Sequence, residues 1–406
     1  MTQTDFAWGA GPSERYEYLA ERFRPLFRII GEGAVERELT RRLPVREIEA
    51  LKQAQFGALR LPEAEGGLGA TLPELFNLLI ELSAADPNIT QALRGHFGLV
   101  EGVLAGPHDS YRQRWAKRVS RGQTAGNART EIGSAKQGAF STTVTETDGK
   151  LVLNGEKYYT TGSLYADWIN VAATTPDGRS VEVPVQRNAA GVAILDDWDG
   201  FGQTLTASGT AKFEAVSVDP ADIIADGERL RYGPAFYQTV LLATLAGIGR
   251  SIADEAAAAV ANRTRTYSHG TGNRSSDDPQ VLQVVGRLRG NAYAAGAIVL
   301  QVARAIERAY QASGDEETEA KANAVAELEA SQALTVLTNL VLESSTIIFD
   351  ALGASAIKKP TALDRHWRNA RALSSHNPRI YKDRIVGDFA VNGTLPPSLW
   401  RIGVAS

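Results

Sequence analysis

The chain has 406 residues, with 43 Lys and Arg against 47 Asp and Glu, a net charge of −4 and no cysteine. That excludes disulfides, thiolate nucleophiles, cysteine-ligated zinc and iron–sulfur clusters, and it leaves no basic footprint for nucleic acid or an anionic membrane. Residues 1–8 lack the basic and apolar regions of a signal peptide, and no uncharged apolar run of about 18 residues occurs, so a cytoplasmic protein is expected.

Residues from about 12 to 120 read as helices. Tyr16, Leu19, Ala20, Phe23, Leu26, Phe27 and Ile30 recur at helical spacing, and Pro44 opens a second helix with Val45, Ile48, Leu51 and Ala54 on one face. The glycines of residues 61–69 mark a loop. Thr71 is placed to cap a helix carrying Leu75, Leu78, Leu79 and Leu82, and Pro87 to start one that runs through Ile89, Leu93, Phe97, Val100 and Leu104. Between about 122 and 227 the pattern is β. Residues 139–147 are rich in strand formers, Asp148-Gly149 signals a hairpin, and Asn154-Gly155 reads as a second tight turn before Tyr158-Tyr159-Thr160-Thr161. Residues 168–173 and 180–185 are further strands around Asp177-Gly178, as in a small barrel or sandwich. From about 234 the chain is helical again, with long alanine-rich helices over 236–262, 279–312, 317–352 and 360–372. Long helices at this spacing suit a four-helix bundle, and the polar connector from Tyr267 to Asp278 has the composition of a solvated loop.

His376 is one of five histidines and is followed by Asn377-Pro378. Asn is a strong N-cap and Pro suits the first helical position, so a helix is expected to start at Pro378 with His376 just outside its positive end. There an imidazole is biased towards its neutral form. A structural histidine beside a cap is the plainer alternative.

The order of helical domain (1–121), middle β domain (122–229) and C-terminal bundle with its tail (230–406) resembles the acyl-CoA dehydrogenase fold, an α+β, mainly α architecture with a small middle β-barrel and a four-helix bundle. Local matches are Leu61-Pro62-Glu63 with Gly66-Gly67-Leu68-Gly69, Leu153-Asn154-Gly155-Glu156-Lys157, Ala351-Leu352-Gly353-Ala354 and Arg368-Asn369-Ala370-Arg371. Dehydrogenases of this fold carry a glutamate base that, counted on from Arg368, falls at about Asn377, and an amide cannot remove a proton. Asn377-Pro378 with Tyr381-Lys382, Val386-Gly387-Asp388, Asp196–Gln203 with Thr206–Gly209, and Thr161–Trp168 are instead similar to the dibenzothiophene monooxygenase branch.

That resemblance implies a two-component, flavin-dependent monooxygenase. It would take reduced FMN (FAD is the lesser expectation) from a separate NAD(P)H:flavin reductase and react it with O2. It would then use a C4a-hydroperoxyflavin to oxygenate a small apolar heteroatom compound, an organosulfur substrate being favoured. The absence of Rossmann and Walker glycine loops fits a borrowed reductant. Catalytic expectations are His376, His96, Ser163 and Asn127, with no metal. His96 also reads as a packed or solvent-facing histidine, Asn127 as a turn residue and Ser163 as a turn cap. Thr161, Ser163, Asn127 and Trp198 are expected against the flavin ring, although Trp198 also reads as a core residue. Arg263 or Arg265 is expected at the phosphate, one of the two being a surface charge. Asn377, Tyr381, Lys382 and Arg384 are further cofactor candidates, with surface ion pairing the alternative for the last two. The fold implies a homotetramer. Specificity is expected around His96, in residues 131–138 and in the connector 267–278. A dehydrogenase with a displaced base and a non-catalytic flavin-binding protein are the competing readings.

Overall fold

The computed structural model describes residues 8–133, 140–227, 229–312 and 314–397. Residues 134–138 of the loop expected to carry specificity lie outside the described residues.

The first unit is α1 (Tyr16–Glu32), α2 (Ala34–Thr40), α3 (Val45–Gln53), α4 (Leu72–Ala85), α5 (Pro87–Ala92), α6 (Arg94–Ala105) and α7 (Ser110–Ser120). Thr71 caps α4 as expected, in a full capping box with Glu74. The helix expected from Pro87 to Leu104 is two helices. The chain turns at Leu93, and α6 starts afresh at Arg94, which sets the Arg94 side chain at an inter-domain corner. Asp86 anchors this corner. It caps α5 through Asn88 N–H and meets the guanidinium of Arg37 at 2.8 Å, both side chains being buried.

The β unit is one eight-stranded sheet in the order β6-β7-β3-β2-β4-β5-β8, with β1 on β4. Its strands are β1 (Ala125–Ala128), β2 (Thr143–Thr147), β3 (Lys150–Lys157), β4 (Trp168–Thr174), β5 (Ser180–Gln186), β6 (Val192–Ile194), β7 (Ala211–Ser217) and β8 (Ile224–Ala225). Asp148-Gly149 makes the β2–β3 turn. Asn154-Gly155 is not a turn. It lies inside β3 at a register irregularity opposite β7, where Asn154 Oδ1 accepts from Ala215 N–H at 2.7 Å and Gly155 supplies φ +147°. Short-range sequence signals cannot separate a bulge from a turn when both use Asn-Gly.

The third unit is α8 (Gly233–Asn262), α9 (Pro279–Gln311), α10 (Glu316–Leu352), α11 (Asp364–Ser374) and α12 (Lys382–Asn392). α8, α9 and α10 pack on one another, α4 joins them against α8, and α11 and α12 lie along α10. α10 is long and apolar enough to cross a membrane by composition alone, and here that apolar length is the bundle's own contact face. The protein therefore has the acyl-CoA dehydrogenase fold, α+β and mainly α.

The helix expected at Pro378 starts four residues later, at Lys382, after a 3-10 turn over Arg379–Tyr381. Asn377 does not cap it. The side chain is drawn instead to α8, where its Nδ2 donates to Gln238 Oε1 at 2.6 Å.

Candidate active site

Three segments meet at the Leu93–Arg94 corner: the start of α6, strand β1 and the chain after β3. Glycines permit the approach. A Cβ on Gly95 would stand 2.8 Å from Asn127 Oδ1, one on Gly126 2.5 Å from Ser163 Oγ, and one on Gly162 2.0 Å from the Ala92 carbonyl. Ser163 is buried and donates to the Asn127 carbonyl at 3.3 Å. Thr161 Oγ1 joins Ser208 Oγ at 2.7 Å, and Ser208 joins Thr206 Oγ1 at the same distance. Trp198 stacks edge-on with Tyr159 at 5.9 Å, and its indole N–H donates to the Gly202 carbonyl. The loop behind it is held by Asn369 of the Arg-Asn-Ala-Arg motif, whose Oδ1 accepts from Gln203 N–H at 2.6 Å.

His376 follows α11 and reaches the same corner from the bundle side. Its Nε2 lies 3.5 Å from Arg94 Nη1, and its Nδ1 lies 3.3 Å from Asn377 Oδ1. A guanidinium only donates, so Nε2 must accept and Nδ1 must carry the hydrogen. That tautomer orients the next two amides. Asn377 accepts with Oδ1 and donates with Nδ2 to Gln238 Oε1, which leaves Gln238 Nε2 at the end of the relay without an acceptor. Arg94 itself donates from Nε to the Tyr237 carbonyl at 3.2 Å and lies 4.9 Å over the Tyr237 ring.

The His376 side chain is exposed, next to Asn377 on the cavity wall. Enclosure by the surrounding protein, and then the Arg94 charge, still push its pKa down to about 3. The ring is neutral, as expected, but the cause differs. It stands at the C-terminal end of α11, with its N–H donating to the Leu373 carbonyl, and not at a helix N-terminus.

His96 does not join this cluster. Its Nε2 lies 2.9 Å from the Gly57 carbonyl and its Nδ1 accepts from Ala125 N–H, so both ring nitrogens are used by backbone. Two residues separate the two outcomes: Arg94, not His96, faces His376. Burial pushes the His96 pKa down to about 4 from its ordinary 6.5. The unfolded chain then takes up the proton first. Stability from the neutral ring is complete above about pH 6.5 and is lost as the pH falls towards 4, on the order of 3 kcal/mol for this buried group. Urea unfolding is expected to show lower stability at about pH 5 than at about pH 7.5, a window above the ordinary titration of carboxylates. Equal stability at the two values would contradict the assignment.

Arg94, Asn127, Tyr237, Gln238, Asn377 and Lys382 are among the residues lining a cavity of about 320 Å³. Asn377 stands where a dehydrogenase base was counted, and its amide is fixed between His376 and Gln238. The carboxylates on the cavity wall are engaged: Glu182 and Asp226 with Arg129, and Glu327 with Lys382 at 3.1 Å.

The other phosphate candidates lie apart. Arg263 donates to the Ala351 and Leu352 carbonyls and so caps α10, and Arg265 is exposed beside it. Both follow the far end of α8, about 37 Å from Gln238 at 1.5 Å per helical residue. Lys382 is buried and paired with Glu327 and Ser331, so the ion pair given as its alternative is present, although inside the protein and not at its surface. Tyr381 and Arg384 are exposed.

Comparison with known proteins sets this geometry in a family. Residues 240–378 match the family described as acyl-CoA dehydrogenase, C-terminal domain. Dibenzothiophene monooxygenase of Rhodococcus erythropolis is 25% identical over 380 residues, covering 89% of this chain and 90% of that protein. The probable FMNH2-dependent monooxygenase SfnC of Pseudomonas putida is 25% identical over 383 residues, covering 90% and 93%. The crystal structure of TdsC from Paenibacillus sp. A11-2 with FMN and indole superposes with a TM-score of 0.84 at 26% identity, covering 95% of this chain and 98% of that one.

Similarity over about nine-tenths of the chain to these proteins supports a flavin-dependent monooxygenase on the acyl-CoA dehydrogenase fold. For such a flavin monooxygenase, the site has a fitting complement for the ring system. Asn127 Oδ1 is buried without a hydrogen-bond partner, the Thr161 and Ser163 hydroxyls lie at the same corner, and Trp198 offers a partly exposed aromatic face. Arg94, Tyr237 and Gln238 were missed from sequence. A signal for Arg94 was present, since it and Glu101 are the only Asp, Glu, Lys or Arg residues between Asp86 and Asp109. Glu101 is answered by Arg60 at 2.6 Å.

Proposed function

We propose that this chain is the oxygenase of a two-component system that takes reduced FMN from a separate NAD(P)H-dependent reductase and transfers one atom of O2 to a small heteroatom compound. An organosulfur substrate is the favoured class, since relatives carry dibenzothiophene in their names. In net terms, substrate, O2 and FMNH2 give oxygenated substrate, FMN and water. Asn377 carries the reading. A desaturating enzyme with its base at this point needs a group that accepts a proton, and the amide here is held between a neutral imidazole and Gln238.

Bound reduced FMN supplies the two electrons that activate O2. Thr161, Ser163, Asn127 and Trp198 hold its ring. His376 presents Nε2 beside Arg94, at the edge of the cavity, as a hydrogen-bond acceptor and momentary proton carrier. Arg94 keeps that proton from staying, because a second positive charge beside the guanidinium is disfavoured. Close packing of α6, β1 and the 160–163 segment at the Arg94 corner would screen that side of the flavin ring from water.

Arg263 and Arg265 can serve a phosphate at this site only from another copy of the chain, which supports a homotetramer, and a cytoplasmic location follows from the need for the reductase. The test is rapid mixing of the anaerobic protein–FMNH2 complex with oxygenated buffer. Return of the oxidised-flavin absorbance is expected to lag well behind that of free FMNH2. Immediate single-phase reoxidation would overturn the proposal.

A further inference from the structure

The cavity wall carries five cations: Arg94, Arg129, Arg229, Arg231 and Lys382. Four of them have a carboxylate partner. Arg129 meets Asp226 and Glu182, Arg229 meets Asp109, Arg231 meets Glu319 at 3.3 Å, and Lys382 meets Glu327 at 3.1 Å. Arg94 is the exception among the described residues. Its neighbours are the Tyr237 carbonyl and ring and the neutral His376. An enclosed guanidinium without a counter-charge is costly, and burial lowers its pKa to about 10 while leaving it charged at neutral pH.

The groups beside it are also short of acceptors. Tyr237 fills the space a side chain at Gly98 would need, since a Cβ there would stand 2.2 Å from the ring and hydroxyl. The Tyr237 hydroxyl has no hydrogen-bond partner among the described residues. Gln238 Nε2, at the end of the relay from His376, has none either. Leu99, Val103 and Leu230 supply apolar wall in the same cavity. A charge, a hydroxyl and an amide N–H in surplus are complemented by oxygen acceptors carrying negative charge.

We propose that Arg94, with the Tyr237 hydroxyl beside it, recognises an anionic head group of the substrate, so that the substrate is a small organic oxyanion (a carboxylate, sulfinate or sulfonate) with an apolar body. This rests on the monooxygenase reading and adds an anionic end to the small apolar heteroatom compound expected from the sequence. A bidentate guanidinium–oxyanion contact fixes the body of the molecule in the cavity with its other end free to turn to His376.

Calorimetric titration of the FMN-loaded protein tests it. The probes are acetate, benzoate, methanesulfinate and benzenesulfinate, set against acetamide, benzamide and the matching methyl sulfones. At least one anion is expected to bind ten-fold or more tighter than its neutral counterpart. Arg94→Met should abolish that preference, Arg94→Lys should keep part of it, and Tyr237→Phe should weaken it in a protein whose fold is checked by circular dichroism. FMN affinity should stay within about two-fold in all three, the scale of a few tenths of a kcal/mol. Equal binding of anions and neutral molecules overturns the proposal, and so does millimolar binding of none of them. Loss of FMN affinity in Arg94→Met, with the anion preference intact, overturns it by assigning Arg94 to the cofactor. Failure of the wild-type protein to bind FMN would instead count against the monooxygenase reading itself.

Discussion

Replacing His376 with alanine is expected to leave FMNH2 binding within a few-fold of wild type and to divert oxygen almost wholly into hydrogen peroxide. His376 touches Arg94 and Asn377, and both have further anchors: Arg94 on the Tyr237 carbonyl and Asn377 on Gln238. The corner that holds the flavin ring therefore survives the change. What disappears is the acceptor nitrogen that the relay holds against Arg94. A positioned proton-handling group is worth about 10²–10⁴ in rate, so the lag in flavin reoxidation should shorten and peroxide yield should rise by at least ten-fold. His376→Gln restores an acceptor and should recover part of the lag. Anaerobic FMNH2 titration with a peroxide assay checks both variants. Unchanged peroxide yield in His376→Ala would remove His376 from the chemistry.

Gly162→Ala is expected to lose stability and flavin binding together. Gly162 has φ +80°, where a side chain costs about 1 kcal/mol or somewhat more. A Cβ there would also stand 2.0 Å from the Ala92 carbonyl, a backbone atom at the α5–α6 corner, so the strand end or the helix must shift. The combined cost should reach about 3 kcal/mol or more. Because Thr161 and Ser163 flank the substitution, FMN affinity should fall at least ten-fold. Gly178→Ala is the control, with φ +83° and nothing within 4 Å of the new Cβ. It should cost only the backbone term and leave FMN binding alone. Urea unfolding and FMN titration of the two variants should separate them clearly, and similar behaviour would show that the Ala92 contact does not matter.

The architecture was legible because its signals are long. The alanine-rich helices of the bundle and the capping box at Thr71 each involve many residues or a paired side-chain interaction, and α8, α9 and α10 begin and end within a few residues of expectation. Short signals fared worse where one residue pair serves two structures. Asn154-Gly155 forms a bulge and not a turn, and Asn377-Pro378 carries a relay and not a cap. In both, the Asn side chain found a partner far along the chain, and local propensity does not report on that. The site was legible only in part. His376 lies at a corner with Asn127 and Ser163, but the choice between Arg94 and His96 depended on the break at Leu93, two residues that differ by about 200° around a helix. The unmet charge of Arg94 emerges only once every neighbouring cation is seen to have its carboxylate.

A single-turnover reaction under ¹⁸O2 tests the central claim most directly. The protein is loaded with one equivalent of FMNH2 and given the small sulfur compounds and oxyanions named above, and products are read by mass spectrometry. The expected result is a product carrying one ¹⁸O atom, with close to one product formed per FMNH2 oxidised and little peroxide. Recovery of all the label as hydrogen peroxide with every compound, or bleaching of a bound oxidised flavin by an acyl-CoA thioester, would contradict it.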